Sequence, residues 1–270
     1  MFAVIVNTLA IVAGSLIGLL LRRGLPERLT GALMQGLGLC TVVIGVQGAI
    51  QESNILVMIV SVVLGDNNKL YNSVTLHQGA RIGNGNEFFP GASISTKPQD
   101  LKFKGEATTC EIGDNNSIRE NVTISRGTAS RAKTVVGSNN LLMENMHIAH
   151  DCIIGSGCII GNSTKIAGEV EIDDNAIISA TVLCHQFCRI GGYVMIQGGC
   201  RFSLDIPPFI IAGKEPTRYC GINIIGLRRR GYTNEQIDII HDTYRTIYAN
   251  GIIKVSVNNY NWKMHICQLL

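Results

Sequence analysis

A histidine followed directly by an aspartate is the feature of this sequence that best suits acid–base chemistry. His150 and Asp151 lie in the segment NMHIAHDC, with a second histidine, His147, three positions earlier. An imidazole can act as a general base near neutral pH, and an adjacent carboxylate can orient it. Such pairs also occur as solvated surface residues, so the pair alone does not identify a catalytic site.

Two other segments contain residue types that bind ligands. The basic run Arg228-Arg229-Arg230 could clamp a diphosphate, or it could be the solvated start of a helix. The segment from Cys184 to Cys188, which includes His185, contains metal-ligating residue types. Both cysteines fall on interior positions of a repeat, so we expect no metal site there or elsewhere in the chain.

That repeat indicates the scaffold that must position these groups. Every sixth residue from 112 to 202 is large and apolar at fourteen of sixteen positions, the exceptions being Ser130 and Cys184. Neither a helix nor a hairpin has this period. The same phase is found earlier in the chain, at Ile94, Phe88, Ile82, Leu76 and Leu70.

A second series of small or β-branched residues follows four positions after the first. Together the two series predict a mainly β fold, a hexapeptide-repeat parallel β-helix, in which three hexads form one coil and equivalent residues stack about 4.8 Å apart. Glycine often follows the large residue, as in Ile154-Gly155, and we expect it to provide positive φ at the corners. The second series is Cys152, Cys158, Thr164, Val170, Ala176, Val182, Cys188, Val194 and Cys200.

Two segments interrupt the repeat. Residues 95–111 and 125–134 are rich in charged and polar side chains, which an apolar axis cannot accommodate. We therefore expect both segments to leave the β-helix as loops, where functional sites are often built. The buried cysteines need no oxidation, which fits a reducing compartment.

Charge is unevenly distributed along the 270 residues. The net charge of +3 is too small to indicate a nucleic-acid partner. Because residues 1–65 are nearly free of charge, we place a domain boundary at residue 65. The charged residues before it are Arg22, Arg23, Glu27, Arg28 and Glu52.

The opening segment is typical of membrane helices. Residues 1–21 and 29–50 carry no charge, and 21 helical residues span about 31 Å, enough for a bilayer core. The alternative is a buried hairpin of core helices. The sequence of residues 1–65 resembles the start of an uncharacterised bacterial family of small multi-span membrane proteins, which has no known activity.

The membrane interpretation creates a conflict of topology. The positive-inside rule places the arginines between the two runs in the cytoplasm, so the second run would exit outward. The third apolar run, Asn54 to Leu64, is about 16 Å long as a helix and too short to cross unaided. The β-helix would then lie outside the cytoplasm, unless the third run crosses or the opening does not insert.

From about Asp66 to Gly251 the sequence resembles the bacterial UDP-N-acetylglucosamine O-acyltransferases of lipid A biosynthesis. The resemblance rests on the ordered segments QDLKFKGE, IGDNNSIRENVTISRGT, NLLMENMHIAHDC, CHQFCRIGGYVMI, DIPPF and GINIIGLRRRGY. It implies a left-handed β-helix and a cytoplasmic homotrimer, to which residues 1–65 would add inner-membrane attachment. It also implies transfer of a 3-hydroxyacyl chain from acyl carrier protein, whose phosphopantetheine carries the chain, to the sugar 3-hydroxyl. No bound cofactor is implied.

The resemblance also assigns roles to individual residues. His150 would be the general base, Asp151 would orient it, and the backbone N–H of Gly168 would stabilise the oxyanion. Substrate contacts are implied for two further groups, the second of which would bind the nucleotide sugar between subunits. These groups are Asp100, Lys102 and His147, and His185, Gln186, Asn223, Arg229 and Arg230.

The chain departs from its relatives at several positions. Glu169 stands where many relatives have a histidine, and Ile225 stands where an acidic residue often meets the uracil ring. Gly198 lies near the position expected to influence acyl length, which the sequence does not specify.

The ends of the chain depart further from those relatives. Residues 66–218 are predicted as the β-helix and 219–270 as a truncated helical region, with a helix at 234–248. The relatives' first coils are replaced by the membrane-like opening. The chain is therefore an acyltransferase, or a chimeric or truncated membrane protein with an inactive or scaffolding β-helix, or a mis-joined reading frame. A metal-dependent β-helix enzyme is a further alternative, which the QDLK and LRRRG segments disfavour.

Overall fold

A computed structural model describes residues 62–249, with side chains through residue 246. In this part of the chain, 21 short strands wind through three sheets in rotation, so that each strand pairs with strands of the coils before and after it. Sheet A contains β1 (Val63–Leu64), β4 (Ala80–Ile82), β7 (Thr109–Ile112), β10 (Lys133–Val136), β13 (Ile153–Ile154), β16 (Glu171–Ile172) and β19 (Arg189–Ile190).

The other two sheets complete the triangular column. Sheet B contains β2 (Lys69–Leu70), β5 (Glu87–Phe88), β8 (Ser117–Ile118), β11 (Leu141–Leu142), β14 (Ile159–Ile160), β17 (Ile177–Ile178), β20 (Met195–Ile196), β22 (Ile210–Gly213) and β23 (Arg218–Ile222). Sheet C contains β3 (Thr75–Leu76), β6 (Ser93–Thr96), β9 (Thr123–Ser125), β12 (His147–Ile148), β15 (Lys165–Ile166), β18 (Leu183–Cys184) and β21 (Arg201–Phe202).

The core is the interior of this column, as the six-residue period predicts. Ile154, Ile172 and Ile190 are partners in parallel register, and each is at most 2% exposed. The second series, from Cys152 to Cys200, is also buried throughout. The hexapeptide-repeat parallel β-helix is therefore confirmed.

Burial keeps three of the interior cysteines as neutral thiols. Removal from water raises the pKa of Cys110 and Cys152 to about 12 and that of Cys158 to about 11, because a buried thiolate would lack solvation. Cys184 and Cys188 also lie on the interior positions expected from the repeat.

The corner glycines act differently from our expectation. Positive φ falls on residues such as Asn115, Asn139 and Asp151, three positions after an interior residue, and Gly155 is not among them. A Cβ at Gly155 would lie 2.7 Å from the backbone nitrogen of Asp174 in the next coil. Glycine is needed there for close stacking of coils, so the predicted role in positive φ is wrong at Gly155.

The C-terminal part of the described chain caps the column. Strand β22 extends sheet B in parallel with β20, and β23 returns antiparallel to it. Helices α1 (Ile224–Arg229) and α2 (Asn234–Ala249) follow, and α2 matches the predicted helix. Helix α2 is held by buried Ile237 and Ile240 and by Tyr244, whose hydroxyl donates to the carbonyl of Pro208 at 2.7 Å.

The two ends of the chain lie outside the described residues. The predicted helical hairpin of residues 1–50 and the tail after residue 250 are among them. Strand β1 begins at Val63, slightly before the boundary expected at residue 65. Within residues 62–249, no helix combines the length and the apolar character needed to cross a bilayer.

Candidate active site

The candidate site is built where the β-helix leaves its regular path. Ile94 is followed in the interior series by Ile112, and Ile124 by Val136, so two loops replace six-residue steps at the corner between sheets C and A. The first loop carries Asp100 and Lys102, and the second connects β9 to β10. Both predicted departures from the column are confirmed.

His150 lies at this same corner, one coil after the second loop. Its Nδ1 atom lies 2.8 Å from Oδ2 of Asp151, and the imidazole side chain is 17% exposed. A carboxylate next to Nδ1 favours the tautomer with the proton on Nδ1. Nε2 then has a free lone pair, which is the arrangement a general base requires.

Asp151 is fixed by the second loop. Its Oδ1 accepts hydrogen bonds from the backbone N–H groups of Thr128 and Arg131, at 2.9 and 3.2 Å, and its Oδ2 accepts from the Thr128 hydroxyl at 2.6 Å. Its own N–H donates to the Thr134 hydroxyl at 2.8 Å. These contacts allow a fully buried carboxylate to remain in the folded protein.

The hydrogen bonds also determine the charge of Asp151. Burial alone would raise the pKa of this carboxyl group, but hydrogen bonds from Thr128, His150 and the Arg131 N–H outweigh burial and lower it. Asp151 is consequently a carboxylate at neutral pH and can stabilise a proton on His150.

Gly168 packs against the imidazole from the next coil. A Cβ at this position would lie 2.6 Å from Cε1 and 2.7 Å from Nε2 of His150, so only glycine leaves room for the ring. Within the described part of the chain, the Gly168 N–H is not used in any hydrogen bond. A free N–H beside the imidazole can donate to an oxyanion.

Two more predicted residues lie close to His150. Oδ2 of Asp100 is 4.0 Å from Nε2, and Oδ1 of Asp100 accepts from the backbone N–H of Lys102 at 2.9 Å. His147 lies on β12, with Nδ1 2.7 Å from the Thr123 hydroxyl. Burial and then the positive charge of Lys165 lower the pKa of His147, which is therefore neutral at pH 7.

The remaining predicted residues form a second group. Asn223, Arg229 and Arg230 line a cavity of about 850 Å³ between α1 and the outer face of sheet B, where Ile159 and Met195 are also exposed to it. His185 and Gln186 follow β18 and are exposed. His150 does not line this cavity, so the chain does not bring the two groups together there.

Part of the second group is occupied by structural contacts. Oδ1 of Asn223 accepts from the Gly226 N–H at 3.1 Å and caps α1, while its amide donates to the Tyr193 carbonyl at 2.9 Å. Arg230 donates to the side chain of Asn175 and to the Gly157 carbonyl. Arg229 lines the same cavity, and its side chain makes no hydrogen bond within residues 62–249.

Sequence reasoning missed the residues that hold Asp151. Thr128, Arg131 and Thr134 were not singled out, although SRGT is one of the segments that carry the family resemblance. No spacing rule connects them to Asp151, since an irregular loop brings them there. Among residues 62–249, no group of three or more potential metal ligands is present.

Comparison with known proteins identifies the family of the β-helix. An acyl-[acyl-carrier-protein]--UDP-N-acetylglucosamine O-acyltransferase from Chlorobaculum parvum is 51% identical over 176 residues, which cover 65% of this chain and 67% of that protein. A similarly named protein from Synechocystis is 39% identical over 177 residues, or 66% of this chain and 64% of that protein. The chain belongs to the UDP-N-acetylglucosamine O-acyltransferase family.

Solved structures of the family agree with this fold. The UDP-N-acetylglucosamine acyltransferase from Bacteroides fragilis is 58% identical, with a TM-score of 0.69 over 75% of this chain and 89% of that chain. The family member from Acinetobacter baumannii is 42% identical, with a TM-score of 0.70 over 72% of this chain and 75% of that chain.

Family matches divide the chain in the same order as the sequence analysis. Residues 133–168 match the bacterial transferase hexapeptide family, and residues 205–261 match "Udp N-acetylglucosamine O-acyltransferase; Domain 2". Residues 2–67 match a protein family of unknown function, DUF554. This match agrees with the predicted resemblance to an uncharacterised family and does not bear on membrane insertion.

Proposed function

We propose that this chain transfers a 3-hydroxyacyl group from acyl carrier protein to the 3-hydroxyl of UDP-N-acetylglucosamine, the first step of lipid A biosynthesis. The observation that carries the proposal is the His150–Asp151 pair, in a chain of the O-acyltransferase family. Nδ1 of His150 is bound by the buried carboxylate of Asp151, and Nε2 of His150 is directed away from that carboxylate.

His150 and Asp151 provide the proton transfers. Nε2 of His150 removes the proton from the sugar 3-hydroxyl while the oxygen attacks the thioester carbonyl. The C–O bond forms, the C–S bond breaks, and the proton on Nε2 passes to the departing phosphopantetheine sulfur. Asp151 stabilises the imidazolium between these two transfers, because it remains charged and close to Nδ1.

Gly168 provides the stabilisation of the oxyanion. Its N–H makes no hydrogen bond among residues 62–249 and lies beside the imidazole, so a thioester positioned for attack by the sugar oxygen can direct its carbonyl oxygen to this N–H. A single donor of this kind is worth about 3–4 kcal/mol in the transition state.

Substrate binding is divided between the two groups of residues. Asp100 and His147 lie near His150, and together with Lys102 they hold the sugar. Arg229 and Arg230, with His185, Gln186 and Asn223, bind the nucleotide part, the two guanidinium groups meeting the diphosphate. Because these groups do not meet in the cavity of one chain, we place the complete site between neighbouring subunits of a homotrimer.

Two further positions, Ile225 and Gly198, bear on how this site binds its substrates. Ile225 is 67% exposed at the cavity and cannot accept a hydrogen bond from a uracil ring, so other groups that line the cavity must hold the uracil. A Cβ at Gly198 would lie 3.3 Å from the Ala180 carbonyl, so this position has little free space for a larger side chain. We expect substitutions at Gly198 to alter the preferred acyl length.

The decisive experiment is acyl transfer by His150→Ala. Turnover of acyl-acyl carrier protein and UDP-N-acetylglucosamine should fall about 100- to 10,000-fold, the contribution of base catalysis. His77→Ala is the matched control, since His77 is also on the β-helix and contacts Ser93 at 3.0 Å. Unchanged turnover in His150→Ala would exclude His150 as the base. Size measurement of the same samples tests the trimer, because a monomer with full activity contradicts a site between subunits.

The opening segment is proposed as a membrane attachment. Support comes from its two uncharged runs, residues 1–21 and 29–50. Full-length chain should remain in the membrane fraction after an alkaline wash. Release into the soluble fraction contradicts the attachment and leaves the acyltransferase proposal unaffected.

A further inference from the structure

Arg131 is attached to the candidate site at both its backbone and its side chain. Its N–H donates to Oδ1 of Asp151 at 3.2 Å, and its guanidinium donates to Oε1 of Glu171 at 2.8 Å. The residue therefore ties the loop that holds Asp151 to strand β16, two coils further along sheet A. Neither the family resemblance nor the fold assigns it a role.

The guanidinium lies between two glutamates in a partly buried setting. Its Nε is 4.0 Å from Oε2 of Glu169, and Glu171 also contacts Arg189 at 3.6 Å. The side chains of Arg131, Glu169 and Glu171 are 28%, 22% and 33% exposed. Solvent screens these ion pairs less than it screens pairs on an open surface.

Glu169 is directly connected to the base. Its backbone N–H donates to the carbonyl of His150 at 3.0 Å, so it is the neighbour of His150 in the next coil. The carboxylate of this neighbour pairs with Arg131, which pairs with Glu171 as well.

The other groups that face His150 do not replace this cation. Asp151 and Asp100 are acidic and lie 2.8 and 4.0 Å from the imidazole nitrogens. His147 is held neutral by burial and by Lys165, which is directed to the carbonyl of Asn145. The immediate surroundings of His150 are consequently acidic, with Arg131 at their edge.

We propose that Arg131 is a positioning residue for the base: its ion pairs with Glu171 and Glu169 hold the loop that fixes Asp151 against His150. This inference rests on the proposed role of His150. Arg131 itself touches no reacting atom. It acts through the orientation of Asp151.

The test compares kcat, KM and thermal stability of Arg131→Ala and Arg131→Lys. Arg131→Ala should lower kcat about tenfold with KM within about twofold, because the loop loses its anchor. Arg131→Lys should restore most of kcat, because a lysine ammonium can still pair with Glu171.

Lys133→Ala is the matched control. Lys133 lies two residues after Arg131 and makes a comparable ion pair with Glu111 at 3.0 Å, with no contact to Asp151. Its removal should leave kcat unchanged.

Three outcomes distinguish the possibilities. If Arg131→Ala behaves like Lys133→Ala, the inference is overturned. A loss of kcat that follows a loss of thermal stability, with no rescue by lysine, also overturns it, since that pattern reports general destabilisation. Full turnover in His150→Ala would instead refute the proposed base, on which this inference depends.

Discussion

Between Val136 and Phe202 every interior residue follows the previous one by six positions, whereas between Ile94 and Val136 the chain twice leaves the column. The regular coils carry Gly168 and His150 at a corner, and Nδ1 of His150 contacts the carboxylate of Asp151. The second loop provides three hydrogen-bond donors to it. The regular repeat therefore fixes the position of His150. The second loop fixes the carboxylate of Asp151, which prepares His150 to act as a base.

The lengths of the two interruptions are also informative. Ile94 to Ile112 spans eighteen positions and Ile124 to Val136 spans twelve, where a regular step spans six. Both insertions are therefore multiples of six residues. Removal of whole hexads should restore a continuous column, which makes the comparison testable.

Deletion of residues 126–131 should have the largest effect on catalysis. It leaves Ile124 and Val136 six positions apart, so the interior series stays in phase and the β-helix should still fold. Acyl transfer should fall more than about 1,000-fold, because Asp151 loses Thr128 and the Arg131 N–H. Circular dichroism and activity are the measurements. A folded deletion variant with substantial activity would show that the loop does not prepare the base.

Asp151→Asn should reduce kcat about 1,000-fold. The amide nitrogen would face the donors of Thr128 or His150, so the tautomer and orientation of the imidazole would no longer be fixed. Asp174→Asn is the control from the regular coils, where Oδ1 of Asp174 accepts from the Ser156 N–H at 2.7 Å. It should retain nearly full turnover, and equal losses in both variants would count against a special role for Asp151.

Gly168→Ala should reduce kcat about 100-fold. The added Cβ would overlap the His150 ring, which must shift, and a displacement of about 1 Å can cost this much. Steady-state kinetics at saturating substrate measure the effect. A kcat close to that of the parent enzyme would mean that the imidazole has another productive position.

Ile172→Ala should have the smallest effect on turnover per folded molecule and a large effect on stability. Ile172 is 2% exposed in the core, so its truncation leaves a cavity worth about 2–5 kcal/mol in the free energy of unfolding. Thermal unfolding and kcat measured on the same sample separate the two quantities. Strong loss of kcat without loss of stability would contradict the division between scaffold and loop.

The β-helix could be predicted from the sequence because every coil needs the same kind of interior side chain. Every coil must place a side chain of similar size on the axis, so Ile154, Ile172 and Ile190 recur in phase and are buried as expected. The two loops were predicted for the converse reason, since positions such as Asp100 and Ser130 could not occupy that axis.

The partners of Asp151 could not be predicted in the same way. Thr128 and Arg131 reach the carboxylate through an irregular loop whose path no period describes. Asn223 was assigned from family resemblance to substrate, and its capping of α1 becomes visible only with the helix in place. Strand β1 was not anticipated because the apolar run before residue 65 suits a strand as well as the end of a helix.

The central claim is that the His150 imidazole holds its proton on Nδ1, against Asp151, and its lone pair on Nε2. Nitrogen NMR of ring-labelled histidine, assigned with His150→Gln, reports the protonation of each nitrogen directly. At neutral pH the account predicts a protonated Nδ1 and an unprotonated Nε2 at His150. A proton on Nε2 under these conditions would contradict it.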